Sequence, residues 1–533
     1  MTFFTTKGTK GCTKATNGFL DGCVKVLALC DFSNKMGKTV IIIGAGIAGL
    51  STGCYAQMNG FKTRIFEMHT IPGGLCTAWT RKGYKFDISM HLLTGSLSGS
   101  FHKMWKELGV IDNFKFHYHN HFLKIESGNK SLIFCDDKAS LEEQMLSISS
   151  RDSKLIKEFT RLIFGGDLMD AASINPPGMQ TISDKLRILP ELIPLMKVFI
   201  KYRKQTVQEF AEKFKDPFLR NAVRFLIDAP GWAMPDYPMV GLKGFVKNGM
   251  TKSGVPLGGS QKVAFRIADM YTQLGGELVT GKKVKDLIIN DNKACGIILE
   301  DGSEIRSDYV VWAADGHTLI YDILRGTYID ETIENMYRNW IPVKPLLHVM
   351  MGIDRDFSGE PHKLVFELPE PEVIAGRETK WLSILHHSFD QSMAPLGKSV
   401  VEAWFETEYE YWEDLYKDRE AYKAEKSRIA EMVIGHLDKR FPGFRSQVEV
   451  VDVPTPATYR RYTGNLKGSP DGWAITNTNF TLNEPLRKLP GLGGLYMAGQ
   501  WTAPYTGTVI AALSGRQVIQ YLCKEERKSF LAS

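Results

Sequence analysis

One short stretch near the start of the chain restricts its fold more than any other feature. A run rich in β-branched residues begins at Lys38 and leads into Gly44-Ala-Gly46-Ile-Ala-Gly49, after which a helical pattern continues to Asn59. This order predicts a strand, a glycine turn and a helix. Gly44 permits a tight turn, Gly46 lets a pyrophosphate approach the backbone, and Gly49 lets the helix pack closely on the strand. The stretch therefore predicts a nucleotide-binding α/β fold.

A carboxylate follows the second predicted strand. Lys62-Thr-Arg-Ile-Phe ends in Glu67, about 20 residues after the glycine turn, which is where an acidic side chain can bind the ribose hydroxyl groups of a dinucleotide. A lone glycine motif is weak evidence, but the motif with its strand, its helix and this carboxylate predicts a dinucleotide site. FAD and NAD both fit the pattern.

Further glycines indicate which dinucleotide is bound. Gly73 and Gly74 form a second pair whose backbone N–H groups can reach the same phosphates. Near the other end of the chain, a predicted buried strand leads to Gly499, and a loop that includes Gly507 leads into a predicted helix. The N-terminus of that helix is partially positive, which suits the pyrimidine edge of a flavin, where negative charge accumulates on reduction.

These pieces together resemble the phytoene desaturase, carotenoid isomerase and retinol saturase branch of the flavin amine-oxidase superfamily. The matching pieces are Gly44–Leu50, Glu67, Gly73–Cys76, Gly83–Asp87, Pro256–Gln261, Asp308–Asp315, Arg460–Tyr462, Leu495–Gly499 and Ser514–Arg516, in the order typical of that family. The resemblance implies FAD as the cofactor. It also implies an α/β fold class, in which a Rossmann-like FAD-binding domain with three layers and a mostly parallel sheet is interleaved with an α+β substrate domain.

The motifs and the resemblance assign cofactor contacts to the two glycine segments, to the end of the second strand, and to the approach to the last helix. Backbone at Val284 is expected to face the adenine, and Ala313 is expected to end a central strand. The residues assigned to cofactor binding are Gly44, Gly46, Ile47, Ala48, Gly49, Glu67, Met68, Gly73, Gly74, Leu75, Val284, Ala313, Gly499, Gln500, Gly507, Thr508 and Val509.

The chain departs from the family pattern at three positions. Leu75 stands where relatives often have an arginine, and Gln500 stands where an acidic residue often holds the ribityl chain. Tyr505 lies in the approach to the last helix, which is rich in glycine and proline in relatives, and it becomes a candidate catalytic residue beside the flavin. His91 is the second candidate, on the substrate side of the flavin ring, with a core histidine as the alternative. The departures leave dinucleotide binding intact, but they prevent transfer of a substrate from the family.

The order of the motifs divides the chain into segments. The FAD-binding domain is predicted from residues 36–119, 251–320 and 485–533. The substrate domain is predicted from residues 120–250, which contain a helix that can associate with a membrane, and from residues 321–484. Residues 1–35 are predicted to form an N-terminal extension.

Composition excludes several classes of protein. With 43% hydrophobic and 24% charged residues, the chain has an ordinary globular composition. The formal net charge of +6 is too small to indicate nucleic-acid binding, and no run of about 18 apolar residues predicts a membrane span. The eight cysteines form no Cys-x-x-Cys pair, and the start of the chain lacks the pattern of a secretory signal. We expect a cytoplasmic protein with reduced thiols, and peripheral contact with a membrane is left open.

A basic amphipathic segment lies in the first substrate insertion. Ser183–Lys204 combines apolar residues at helical spacing with six basic residues. This pattern is typical of a helix in a membrane interface, and it also fits a surface helix packed on the domain core. The apolar residues are Leu192, Leu195, Met196, Phe199 and Ile200, and the basic residues are Lys185, Arg187, Lys197, Lys201, Arg203 and Lys204.

Other candidate ligands are given structural interpretations. His117, His119 and His121 alternate along a predicted strand and would share one face, but no carboxylate or cysteine nearby completes a metal set. An exposed strand face without a metal is therefore predicted. Cys76 is predicted to be a small packed residue and not a point of flavin attachment, so FAD is expected to bind non-covalently.

Three functions remain open. The favoured one, which the resemblance implies, is an FAD-dependent oxidoreductase or isomerase that saturates, desaturates or isomerises carbon–carbon bonds of a lipophilic polyene or unsaturated lipid. Its substrate insertions are rich in Phe, Leu, Ile, Met and Trp and are expected to offer few fixed charges to a polar substrate. The alternatives are a flavin amine oxidase and a non-catalytic, membrane-associated flavin-binding protein. No second glycine motif indicates a nicotinamide domain, so the electron donor or acceptor is left open.

Overall fold

Two sheets dominate the structure, a computed structural model that describes residues 37–165, 173–480, 485–504 and 507–532. Backbone contacts join residues 39–533 into one unit. The strands are β1 (Thr39–Ile43), β2 (Lys62–Phe66), β3 (Ala78–Arg81), β4 (Tyr84–Asp87), β5 (Phe116–His117), β6 (His121–Ser127), β7 (Lys130–Cys135), β8 (Asp228–Ala229), β9 (Trp232–Ala233), β10 (Val255–Pro256), β11 (Glu277–Val279), β12 (Val284–Asn290), β13 (Lys293–Leu299), β14 (Glu304–Arg306), β15 (Tyr309–Trp312), β16 (Leu346–Ile353), β17 (Lys363–Ile374), β18 (Arg377–His386), β19 (Ser399–Glu406), β20 (Val448–Asp452) and β21 (Leu495–Met497).

Helices connect and cover these strands. They are α1 (Ile47–Met58), α2 (Gly99–Glu107), α3 (Lys138–Ile148), α4 (Ser153–Phe164), α5 (Ile182–Tyr202), α6 (Val207–Ala211), α7 (Pro217–Arg224), α8 (Met239–Thr251), α9 (Gly259–Gln273), α10 (Glu331–Asn339), α11 (Tyr409–Leu415), α12 (Arg419–Arg440), α13 (Phe444–Gln447), α14 (Pro456–Thr463) and α15 (Thr508–Glu525). None of the helices in the described ranges is long and apolar enough to cross a membrane.

The first sheet, which we call the parallel sheet, has the order β11-β2-β1-β15-β21, and every neighbouring pair is parallel. Side chains alternate along a strand, so Val40 and Ile42 of β1 pack against α1, α9 and α15, whereas Ile41 and Ile43 pack against β12 and β13 on the other face. Helices, parallel sheet and a small antiparallel sheet thus form three layers. The predicted Rossmann-like α/β class is confirmed.

The second sheet, which we call the large sheet, has the order β20-β16-β19-β18-β17-β6-β7. Its pairs are antiparallel except for β17 and β6, which are parallel. Val349 of β16, Ala403 of β19 and Leu364 of β17 lie in the same buried cluster as α12. Because side chains alternate, the residues next to them, such as His348, Trp404 and Lys363, face the opposite side of the sheet.

Four predicted elements can be compared with the structure. The helix predicted over Ser183–Lys204 is present as α5, which begins with a capping box at Thr181. The strand and the helix predicted on either side of the first glycine turn are present as β1 and α1. The single strand predicted through the three histidines is wrong, because β5 ends at His117 and β6 begins at His121.

Candidate active site

The first glycine turn holds two glycines in very different surroundings. Gly44 has φ of +97°, which favours glycine, and its N–H donates to the Phe66 carbonyl at 2.8 Å. A Cβ added to Gly46 would meet nothing within 4 Å, so this residue borders open space. A Cβ added to Gly49 would lie 1.9 Å from the Gly44 carbonyl oxygen, so Gly49 is needed where α1 crosses the turn.

The second glycine pair lies directly against the first turn. Gly73 donates its N–H to the Ala45 carbonyl at 2.8 Å, and Gly73 and Gly74 have φ of +125° and +59°. A Cβ added to Gly74 would lie 3.3 Å from the Cα atom of Gly46. The two segments therefore form one glycine-lined cradle, in which backbone rather than side chains borders the open space.

Glu67 ends the strand next to the glycine turn. Its carboxylate accepts hydrogen bonds from the Ala45 N–H at 2.7 Å and from the His69 N–H at 2.8 Å. Burial raises the pKa of Glu67, while these hydrogen bonds oppose the shift by stabilising the charged form. The parallel pairing of β1 and β2 thus fixes the carboxylate at the edge of the cradle.

The last helix approaches the cradle from the other end of the chain. Gly499 follows β21 with φ of +101°, and its N–H donates to the Ser514 hydroxyl at 2.7 Å. Gly507 precedes α15 and donates its N–H to the carboxylate of Asp471 at 3.2 Å. Burial raises the pKa of Asp471 to about 6. Tyr505, the predicted catalytic aromatic, lies outside the described residues.

A cavity of about 1960 Å³ runs from this cradle to the large sheet. It brings together almost all of the residues predicted for the cofactor, while Gly49 lies outside its lining. Cys76 also lines the cavity, and burial raises the pKa of its thiol to about 12, so the reactive thiolate is scarce at neutral pH. The predicted residues that line it are Gly44, Gly46, Ile47, Ala48, Glu67, Met68, Gly73, Gly74, Leu75, His91, Val284, Ala313, Gly499, Gln500, Gly507, Thr508 and Val509.

Trp404 on the large sheet gathers polar side chains at the cavity wall. The centroid of its indole lies 4.2 Å from the imidazole centroid of His91 and 5.2 Å from that of His348. The ammonium nitrogen of Lys363 lies 5.9 Å from the same indole centroid. Strand pairing explains part of this arrangement, because His348 on β16 is directly opposite Trp404 on β19.

A buried carboxylate contacts the members of this group. Glu402 has no exposed surface and accepts hydrogen bonds from the Trp404 indole N–H at 3.1 Å and from His387 at 2.9 Å. Burial works to raise the pKa of Glu402, but the neighbouring His348 and His387 outweigh it and hold that pKa well below its usual range. Burial lowers the pKa of His91 to about 3, so this imidazole is neutral at physiological pH.

The three histidines between β5 and β6 differ from the exposed face that the sequence predicted. The imidazole of His119 stacks on that of His362 with 4.0 Å between ring centroids, and His119 and His121 line the cavity. The strand ends at His117, so the chain turns and brings the next histidine inward. In the described ranges, no group of His, Cys, Asp or Glu is arranged to hold a metal ion.

Sequence reasoning missed the polar side chains of the large sheet. It predicted few fixed charges in the substrate region, whereas Lys363 lines the cavity and Glu402 is buried beside Trp404. The available signal was weak. His348 and Glu402 interrupt strands that are otherwise buried and apolar, and a polar residue at such a position requires a partner.

The comparison with known families agrees with the cradle. The model of the family "flavin containing amine oxidoreductase" matches residues 47–521. The chain belongs to this family. It is therefore an FAD-dependent oxidoreductase. The cradle fits FAD, because it offers open space at Gly46, backbone N–H groups from two glycine segments and a carboxylate at Glu67.

Curated members of the family align with most of the chain. Chloroplastic prolycopene isomerase from Daucus carota is 24% identical over 506 residues, which cover 89% of this chain and 78% of the relative. The lycopene-forming phytoene desaturase from Pseudescherichia vulneris is 24% identical over 498 residues, which cover 88% of this chain and 96% of the relative. The predicted resemblance is confirmed.

Solved structures of other proteins share the fold. An oxidoreductase from Methanosarcina mazei superposes with a TM-score of 0.59 at 17% identity, covering 90% of this chain and 100% of that one. A variant of putrescine oxidase superposes with a TM-score of 0.57 at 12% identity, covering 92% of this chain and 99% of that one. At these identities, the likeness is one of fold.

Proposed function

We propose that this oxidoreductase acts on carbon–carbon bonds of a lipophilic polyene or a similar unsaturated lipid, by desaturation, saturation or isomerisation. One observation carries the proposal: the cavity continues from the cofactor cradle into a large, mostly apolar chamber. Its volume of about 1960 Å³ exceeds the roughly 300–1,000 Å³ of an ordinary ligand pocket, so it has room for a dinucleotide and a long second molecule. The printed functions of the aligned relatives, a prolycopene isomerase and phytoene desaturases, support the same substrate class.

The proposal gives each wall of the cavity its own role. Residues 36–119, 251–320 and 485–533 would hold FAD through the predicted cofactor residues, and residues 120–250 and 321–484 would hold the substrate. When bound, FAD supplies two-electron chemistry at a carbon–carbon bond. The chain's own apolar side chains would exclude water and align the substrate. Apolar residues of the chamber include Phe122, Leu226, Ile227, Met234, Val240, Phe245 and Leu385.

His91 and Trp404 are the residues of the large-sheet wall that we place in contact with the substrate. The two rings are in contact, and the imidazole of His91 is neutral, so it can donate or accept a hydrogen bond without carrying charge into the chamber. Tyr505 remains a second candidate. Its position in the sequence, two residues before Gly507, is the only support for that role.

Anaerobic rapid mixing tests the proposal against the amine oxidase. Oxidised enzyme mixed with small primary and secondary amines should keep its flavin absorbance. Mixing oxidised or dithionite-reduced enzyme with polyenes should change the flavin spectrum or yield a polyene with a different number or geometry of double bonds. Rapid bleaching by amines without any lipid product would favour the amine oxidase. A bound flavin that neither class of substrate changes would favour the non-catalytic protein.

We also propose that helix α5 contacts a membrane beside the cavity. Several apolar side chains of this helix are exposed, with 78% of Ile182 and 69% of Ile200 accessible to solvent, while Val198 packs on the domain. Met196 and Phe199 of the same helix line the cavity, and Lys185 and Lys197 lie along it. A helix of this kind binds an anionic membrane through apolar burial and basic side chains, and here it would deliver a lipid to the chamber.

A further inference from the structure

Three basic side chains line a part of the cavity where an apolar substrate would offer them no hydrogen-bond or ionic partner. The group consists of His91, His348 and Lys363, and all three side chains line the cavity around the Trp404 indole. Of these three residues, Lys363 is the one whose side chain is positively charged at neutral pH. Among the described residues, its ammonium makes neither a hydrogen bond nor an ion pair, and burial alone lowers its pKa to about 8.

The carboxylate beside Trp404 is already engaged. Oε1 of Glu402 accepts a hydrogen bond from His387, and Oε2 accepts one from Trp404 and lies 3.7 Å from Nδ1 of His348. None of the hydrogen bonds of Glu402 in the described structure involves Lys363. An ammonium group that loses water without gaining an anion costs free energy, so a chain that keeps Lys363 at this wall needs a compensating ligand.

The neighbouring imidazole also lacks a partner. Nδ1 of His91 is buried and has no hydrogen-bond partner in the described structure. Because this ring is neutral, it can offer a single N–H to a ligand in the chamber. A cation and a neutral donor on one apolar wall are the groups that a carboxylate would use, through one charge-assisted and one ordinary hydrogen bond.

We propose that Lys363, with His91 beside it, binds the carboxylate of a long unsaturated substrate, so that the substrate is an amphipathic acid and not a hydrocarbon. This inference rests on the proposed function and makes it narrower. The acid group would be anchored at the large sheet while the unsaturated chain extends through the apolar part of the cavity. An anchor of this kind fixes which carbon–carbon bond lies beside the cofactor.

A matched pair of ligands tests the inference on the FAD-loaded full chain. All-trans-retinoic acid and its methyl ester share the polyene and differ in the charge of one end. Titration of each, followed by the change in flavin absorbance, should show the acid binding about 10 to 100 times more tightly, since hydrogen bonds to charged groups contribute that much. Lys363→Met should abolish this preference by lowering the affinity for the acid to about that for the ester, and Lys363→Arg should retain the preference.

Lys380→Met is the control, because Lys380 lies on β18 of the same sheet, outside the cavity, in an exposed ion pair with Glu367. It should behave as the wild type does. Equal affinities for acid and ester in the wild type, or failure of the acid to bind, would overturn the inference, and neither result depends on a variant that folds. Failure of the proposed function is a different result: the protein would lack FAD or would convert no polyene, acid or neutral.

Discussion

The two walls of the cavity, at the cofactor cradle and at the large sheet, expose different parts of the chain. The cradle beside the parallel sheet presents backbone, since two glycine segments line it, Gly46 borders open space, and Glu67 lies at its edge. The large sheet presents side chains, with Trp404, Lys363 and His348 brought together by strand pairing. A backbone cradle suits a cofactor that every member of a family binds, whereas side chains can be replaced one at a time. The large sheet is therefore where this chain can specify its own substrate.

The largest expected effect comes from filling the cradle. Gly46 has φ of −69°, and a Cβ there meets nothing within 4 Å, so Gly46→Val should fold and yet exclude the pyrophosphate. We expect a protein with a normal circular dichroism spectrum and almost no FAD, measured by flavin absorbance after purification. Acid or heat should release the FAD of the wild type, because the attachment is non-covalent.

Gly49→Val is the substitution to compare with Gly46→Val. Its Cβ would lie 1.9 Å from the Gly44 carbonyl oxygen, so it should prevent folding instead of emptying a folded site. A Gly46→Val protein with full flavin content would show that the pyrophosphate does not lie at this turn.

The next largest effect is expected from a substitution at a buried residue of the large sheet. Glu402→Gln removes a buried charge that holds His387 and Trp404, and breaking such a pair costs about 3–5 kcal/mol. Urea unfolding should show this loss in the free energy of unfolding. Because the folded-state pKa of Glu402 lies below its ordinary value, the stabilisation exists above the ordinary carboxyl pKa and is lost as the pH falls.

The control for that variant is Glu410→Gln, which breaks an exposed ion pair with Lys467 and should cost at most about 1 kcal/mol. Glu402 is not part of the backbone cradle, so Glu402→Gln protein that folds should still bind FAD. An unchanged free energy of unfolding would mean that Glu402 is not the support of this wall.

A smaller effect is expected in the pH dependence of acid binding at Lys363. The pKa of Lys363 is lowered from 10.5 to about 8, so its charge, and with it the affinity for a polyene acid, should be complete below that pH. Above it, the affinity should fall by about tenfold for each pH unit as the proton is lost, until it reaches the affinity for the methyl ester. The titratable groups around Trp404 include His91, His348 and Glu402; of these, His91 is neutral and Glu402 is ionised throughout this range.

Titrations of retinoic acid between neutral and alkaline pH measure this dependence. In Lys363→Arg the fall should disappear, because a guanidinium keeps its proton throughout. The methyl ester should bind with the same affinity at every pH. A wild-type profile without any fall would place the acid elsewhere in the cavity.

The same contrast explains what the sequence could predict. The cradle is encoded locally: Gly44, Gly46 and Glu67 follow their strands within short segments, so their spacing alone indicates the fold and the cofactor. The opposite wall depends on register. His348 and Trp404 are far apart in the chain and meet because β16 pairs with β19. No local pattern predicts that pairing, so the side chains around Trp404 could not be placed together before the structure was known.

The smallest expected effect concerns helix α5, two of whose residues line the cavity. If α5 lies on a membrane, replacing Ile182, Leu189 and Ile200 by serine should reduce cosedimentation with anionic vesicles several-fold. The fold should be unaffected, because these side chains are exposed and leave no cavity when shortened. Raising the salt concentration should weaken binding of the wild type further, since basic residues of the helix act through screened charges. Leu396→Ser is the control, because Leu396 is 90% exposed on a turn before β19. Equal sedimentation of the triple variant and the wild type would mean that the apolar face of α5 meets something other than lipid.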